Sequence, residues 1–250
     1  MPRYFLEVRY DGSSFSGFQV QKNARTIQSE IEKAAGTLLR ITVNCTGSSR
    51  TDAGVHAMQN YFHFDVEQTL EPGFVYHLNA ILPKQIAVVN CTAVRKKSHC
   101  RFDAVARWYK YMLSNRKDPF LVDRAWFYPY PMNKELLDTA AGMVKQQTDF
   151  TSFSKRHADT KTTICSISRS EWFQEENGWV YHVEANRFLR GMVRGLVSTM
   201  VQVGRQKISL EQFNSILHHT DNALTSFTAP GHGLYLMQVR FPDQYLEMSE

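Results

Sequence analysis

Twice along the chain, a run that alternates apolar and polar residues is followed by an apolar stripe of helical period and then by two more alternating runs. A period of two marks a strand with one buried face, and a period of 3.6 marks a helix with one buried stripe. The order strand-helix-strand-strand, repeated, therefore limits the chain to a small set of α+β folds. In the first round Tyr4, Leu6, Val8 and Tyr10 share one face, Phe5, Glu7 and Arg9 share the other, and the turn cluster Asp11-Gly12-Ser13-Ser14 ends the run. Thr26 is placed to cap a helix striped by Ile27, Ile31, Ala34, Ala35 and Leu38, and strands are expected at Ile41–Cys45 and Gln59–Val66. In the second round Trp108–Leu113 alternates, and Asn133 caps a helix that buries Leu136, Leu137, Ala140 and Val144. Strands are then expected at Ser166–Phe173 and Trp179–Ala185, joined by a turn at Glu175–Gly178. The expected architecture is two similar halves, 1–104 and 105–250, with no low-complexity linker between them. They would share one mixed or antiparallel sheet flanked by helices.

A further helix is expected from Asn186 to about Val203, where Arg187, Arg190 and Arg194 recur at helical spacing beside Gly191, Gly195 and Ser198. Small residues admit a close neighbour, and the arginines beside them either reach an anion or lie in solvent. Ser209 and Gln212 form a capping box for a last helix, and Leu234–Phe241 reads as a final strand.

Charge narrows the partner. The chain carries +5 with a pI near 9.0, and the excess is local. Between Arg95 and Arg124 stand nine Lys or Arg (Arg95, Lys96, Lys97, Arg101, Arg107, Lys110, Arg116, Lys117, Arg124) against Asp103, Asp118 and Asp123, a net of +6. Phe102, Trp108, Tyr109, Tyr111 and Phe120 are interleaved with them. Cations for phosphates beside flat rings for bases suit an RNA surface; the alternative is a solvated strand face with core aromatics. Cys45, Cys91, Cys100 and Cys165 show no metal-ligand spacing, so reduced, structural thiols are expected and no metal. The N-terminus reads as a strand and not a signal peptide, and no run of 18 apolar residues occurs. The expected setting is the cytoplasm, with no membrane.

The segment Gly47-Ser48-Ser49-Arg50-Thr51-Asp52-Ala53-Gly54-Val55-His56-Ala57 lies between two expected strands. Thr-Asp-Ala-Gly is good turn chemistry, and an aspartate among small residues is also well placed to meet a ligand. The residues alone leave both readings open. The segment resembles the signature of the tRNA pseudouridine synthase A family. Further blocks resemble that family in the same order: Tyr10-Asp11-Gly12, Phe15–Gln21, Asn79–Pro83 with Ile86–Val88, Arg101–Ala104, Arg107–Tyr111, Asp149–Phe153, Asn186–Arg194 and Ala229–Leu236. One departure is Cys165, where the family often has arginine.

The resemblance implies isomerisation of uridine to pseudouridine at positions 38 to 40 in the anticodon stem-loop of tRNA, by a homodimer with a basic cleft and no cofactor or metal. It implies that Asp52 is the nucleophile, that Tyr109 stacks under the target base, that Arg50 helps hold the target nucleotide and that Arg194 pairs with Asp52. The chemistry suits these residue types. A base must leave the stack before its glycosidic bond breaks, and an aromatic ring replaces lost stacking. Charge develops at C1′, where a carboxylate stabilises it or attacks, and a nearby arginine keeps that carboxylate ionised. His56 is expected to fix the loop rather than transfer a proton, and His63 to be a structural or surface residue. The competing readings are a pseudouridine synthase with another RNA target, an RNA-binding module without activity, and a metal-dependent hydrolase, which the scattered ligands disfavour.

Overall fold

A computed structural model describes residues 1–154 and 161–246. Along the chain the elements are β1 (Arg3–Tyr10), α1 (Ile27–Leu39), β2 (Thr46–Gly47), β3 (His56–Asp65), α2 (Phe74–Ile81) and β4 (Ile86–Val94). Then come β5 (Ala106–Ser114), β6 (Trp126–Phe127), α3 (Lys134–Gln146), β7 (Ile167–Glu175), β8 (Gly178–Ala185), α4 (Met192–Gly204), α5 (Leu210–Leu217) and β9 (Leu234–Arg240). The class is α+β. The chain forms two compact units: Met1–Val105 with Leu236–Glu250, and Ala106–Tyr235. The chain passes from the second back to the first within β9.

In the first unit the strands lie in the order β4-β1-β3-β9, with β2 added to β3. β1 is antiparallel to both neighbours, and Leu6 pairs with Phe62 on one side and Cys91 on the other. The face of Tyr4, Leu6, Val8 and Tyr10 is buried as its alternation requires. The opposite face departs from expectation, because Phe5 is buried as well. The C-terminal segment covers it: the Phe5 ring lies 5.7 Å from Phe241, which stacks at 5.3 Å on Tyr245, and the Tyr245 hydroxyl bonds Asp103. Each such buried ring or aliphatic side chain contributes roughly 1.5–3 kcal/mol. Thr26 caps α1 with Ser29 completing the box, and Ile27, Ile31, Ala34 and Ala35 form its buried stripe. Asn79, in α2, pairs with Val88 of β4 through both halves of its amide at 2.8 Å, which fixes the helix on the strand.

No ladder forms at Ile41–Cys45; the strand there is only Thr46–Gly47. Helix α1 takes the backbone instead. Glu32 Oε1 accepts from the Cys45 N–H at 2.8 Å, and Gln28 donates to the Cys45 carbonyl at 2.8 Å.

In the second unit the order is β5-β8-β7, antiparallel, with β6 parallel to β5. The β7–β8 hairpin turns between Glu175 and Gly178 as expected. Asn133 caps α3, whose buried face packs against β7, α4 and α5. Ser209 and Gln212 form the capping box of α5. Helix α4 begins at Met192, six residues later than expected. Asn186 is engaged elsewhere: its backbone N–H and its side chain bond Ser166, and its carbonyl accepts from Arg107. Gly191, at φ +75°, then makes the entry to the helix. Arg187 and Arg190 therefore precede α4, and only Arg194 lies on it.

Candidate active site

The Asp52 loop lies between β2 and β3 and is held at Ser49 and Thr51. Ser49 and Thr51 are buried, Arg50 is exposed and Asp52 is half-buried. Ser49 is held by Asn60 of β3: Asn60 Oδ1 accepts from the Ser49 N–H at 3.3 Å, and Nδ2 donates to the Ser49 carbonyl at 2.9 Å. The same Nδ2 donates to the Tyr10 hydroxyl at 3.1 Å, and Tyr10 shares a 2.9 Å hydrogen bond with the Thr51 hydroxyl. Burial pushes the Tyr10 phenol up to about 12, with the contacts to Thr51 and Asn60 pulling back, so it is neutral near pH 7. The Thr51 carbonyl accepts from the Phe18 N–H at 3.0 Å. Ser48 is buried as well, at the bend it forms with Ser49. After the bend Arg50 is exposed, and Asp52 follows the anchored Thr51.

After Asp52 the chain reverses. The Asp52 carbonyl accepts from the Val55 N–H at 3.2 Å, and Gly54 takes φ +78°, which L side chains rarely adopt. The turn reading holds, and the turn is made by the main chain of Asp52.

His56 opens β3 and is almost fully buried. Its Nδ1 accepts from the Gly12 N–H at 3.2 Å and lies 3.3 Å from Asp11 Oδ1, which pins the Asp11-Gly12 turn to the loop. His63 is buried too, with Nδ1 at 3.2 Å from Cys100 Sγ. Burial pushes its pKa down to about 4, with Arg3 and His99 adding to the shift. A neutral, packed imidazole is a structural group here.

The other two site candidates lie in the second unit. Tyr109, on β5, is buried, and its ring meets Phe188 edge-on at 5.2 Å. Arg194, on α4, is half-buried and donates through Nε to the Ala229 carbonyl at 2.7 Å. The small residues beside it receive the 225–230 segment. Ser198 bonds Ser226, Thr228 and the Ala229 N–H at 3.1, 2.9 and 3.1 Å, and Gly195 faces Phe153 and Phe227. Cys165 is buried, which pushes its thiol up to about 11, so it is an inert packing residue.

Within the basic stretch, Arg107 is a structural residue, 8% exposed and bonded to the Asn186 carbonyl at 2.9 Å. Lys110 lies over the Tyr235 ring at 5.5 Å. Arg95, Lys96, Lys97, Arg101, Arg116, Lys117 and Arg124 are exposed. Among the described residues no three His, Cys, Asp or Glu side chains are grouped to hold a metal, and no helix is long and apolar enough to cross a membrane. Sequence reasoning missed Asn60. Its signal was an amide at i, i+2, i+4 spacing with Phe62 and Phe64, on the inward face of β3.

The profile of the tRNA pseudouridine synthase family matches residues 7–103 and 147–242. The chain is similar to proteins named tRNA pseudouridine synthase A throughout its length. It is 38% identical to that of Parabacteroides distasonis, with all of both chains covered. It is 41% identical to that of Bacteroides fragilis, with 98% of each covered. It is 34% identical to that of a Staphylococcus aureus strain, with 99% of this chain and 93% of the other covered. With the loop, its anchors and the match along the whole chain in view, this chain belongs to the tRNA pseudouridine synthase family.

Proposed function

We propose that this protein converts uridine to pseudouridine in the anticodon stem-loop of tRNA, at positions 38 to 40, with Asp52 as its catalytic carboxylate. The observation that carries the reading is the hold on the loop: Asn60 and Tyr10 fix Ser49 and Thr51, on either side of the exposed Arg50 and just before the half-buried Asp52. In the reaction the N1–C1′ bond breaks, the uracil turns, a C5–C1′ bond forms, the C5 proton leaves and N1 gains one. All atoms of the product come from the substrate and solvent protons, so the reading needs neither metal nor cofactor. Asp52 meets the positive charge that develops at C1′. Tyr109 offers its ring to the extruded base, Arg50 holds the target nucleotide, and Arg194 is the arginine that the reading pairs with Asp52. The same reading takes the enzyme as a homodimer acting in the cytoplasm.

The test is release of tritium from tRNA labelled at uridine C5. Asp52→Asn keeps the size and the turn and removes the charge. We expect a loss on the order of a thousandfold or more in rate, with tRNA affinity largely kept. Substantial turnover by this variant would remove Asp52 from its role, and mapping the modified uridines checks the three positions.

A further inference from the structure

We infer that Phe102, seated against His99 and flanked by Arg101, is a stacking platform for an unpaired tRNA base beside the target uridine. The inference rests on the tRNA reading above and adds a binding site to it.

Phe102 is 74% exposed. Single exposed apolar residues are common and mean little alone. This ring is different in being held. His99 and Asp103 close a tight turn around it: the His99 N–H donates to Asp103 Oδ2 at 2.7 Å, and the Asp103 N–H donates to the His99 carbonyl at 3.0 Å. His99 Nδ1 in turn accepts from the backbone N–H of both Arg101 and Phe102, at 3.2 and 3.3 Å. The turn is riveted to the core by Cys100, which is fully buried and donates through Sγ to the Thr46 carbonyl at 3.1 Å. The His99 imidazole packs edge-on against His63 at 4.6 Å and lies 4.2 Å from the Phe102 ring. Arg101 adds its guanidinium at 5.7 Å from the ring centroid. A rigid, presented ring beside a cation is the composition that stacks a base and contacts its phosphate.

The platform adjoins the Asp52 loop. Phe102, Arg101, Arg50, Gly47, Thr46 and Phe18 line one shallow cavity of about 150 Å³. Arg50 stands two residues before Asp52. Pockets that enclose a whole small ligand measure roughly 300–1,000 Å³, so this one suits one part of a larger molecule lying across the surface. The two arginines at the cavity favour an anionic occupant.

The experiment compares Phe102→Leu, Phe102→Trp and Arg101→Gln with the parent protein, in tRNA affinity at several salt concentrations and in single-turnover rate at saturating tRNA. Phe102→Leu keeps an apolar side chain and loses the ring; its affinity is expected to fall about 5- to 150-fold, the range for one base on one ring. Phe102→Trp should bind at least as well as the parent. Arg101→Gln should reduce the salt slope by about one unit. Saturated rates should stay within about twofold of the parent's. A parent protein that neither binds nor modifies tRNA overturns both the platform and the tRNA reading. A parent that modifies tRNA, beside a Phe102→Leu variant of equal affinity, overturns the platform alone. A change in self-association of that variant would then assign the ring to a contact between copies.

Discussion

Asn60 uses both ends of its amide, and two of its four hydrogen bonds hold Ser49 in the Asp52 loop. Oδ1 accepts from the Ser49 and Tyr61 N–H groups, and Nδ2 donates to the Ser49 carbonyl and the Tyr10 hydroxyl. Asn60→Ala leaves several buried polar groups short of a partner, at about 1–3 kcal/mol for each one that water does not reach. The expected result is a clear loss of stability in denaturant unfolding, with an unchanged m-value. Asn60→Asp should be no better, because both donors become acceptors facing oxygen atoms. If Asp52 acts in catalysis, either variant also lowers kcat more than it raises KM, since a displacement of about 1 Å costs on the order of a hundredfold in rate. A variant as stable and active as the parent would show that this amide does not hold the loop. At this scale the turn Asp52–Val55 is legible in the residues, because Asp, Ala and Gly are local turn chemistry. The anchors of Ser49 and Thr51 are not, since Tyr10 and Asn60 reach them from 41 and 11 residues away.

Among the helices, α3 and α4 each carry an interior glycine, and their surroundings give opposite expectations. A Cβ on Gly142 of α3 would meet nothing within 4 Å. Gly142→Ala should therefore stabilise the protein by up to about 1 kcal/mol, the difference in helix propensity. A Cβ on Gly195 of α4 would come within 2.9 Å of the Phe227 ring and 3.2 Å of Phe153, which is fully buried. Overpacking costs about 1–3 kcal/mol and outweighs the same propensity gain, so Gly195→Ala should destabilise. Thermal unfolding of both variants measures this, and adding Phe227→Leu to Gly195→Ala should recover part of the loss. Equal effects of the two alanines would mean that the 225–230 segment does not press on α4. Element ends were legible where the chemistry is local: the caps at Thr26, Asn133 and Ser209 all form. Ends failed where a distant partner took the backbone. Glu32 and Gln28 bind Cys45 in place of a neighbouring strand, and Ser166 with Arg107 holds Asn186 out of α4.

Across the whole chain, composition locates an excess of cations between Arg95 and Arg124 but does not say which of them meet an anion. Burial sorts them. Arg95, Lys96, Lys97, Arg116, Lys117 and Arg124 are exposed, whereas Arg107 is 8% exposed and bonds a backbone carbonyl. Phosphate contacts position RNA without reading its sequence, and each one displaces about one counterion. Neutralising a true contact among Lys96, Lys97, Arg116 and Lys117 should thus weaken binding to all tRNAs alike and flatten the salt slope by roughly one unit. Their single-turnover rates at saturating tRNA should stay unchanged. Arg107→Gln should behave in the opposite way, losing stability by about 1.5–3 kcal/mol, as for a hydrogen bond from a charged donor, with the salt slope intact. Affinity at several salt concentrations beside denaturant unfolding separates the two classes. An Arg107→Gln variant with full stability and a flattened slope would move that residue to the RNA surface. Four unaltered slopes would make the exposed lysines and arginine a solvated face, and the RNA path would then be sought at Arg187 and the exposed Arg190, just ahead of α4.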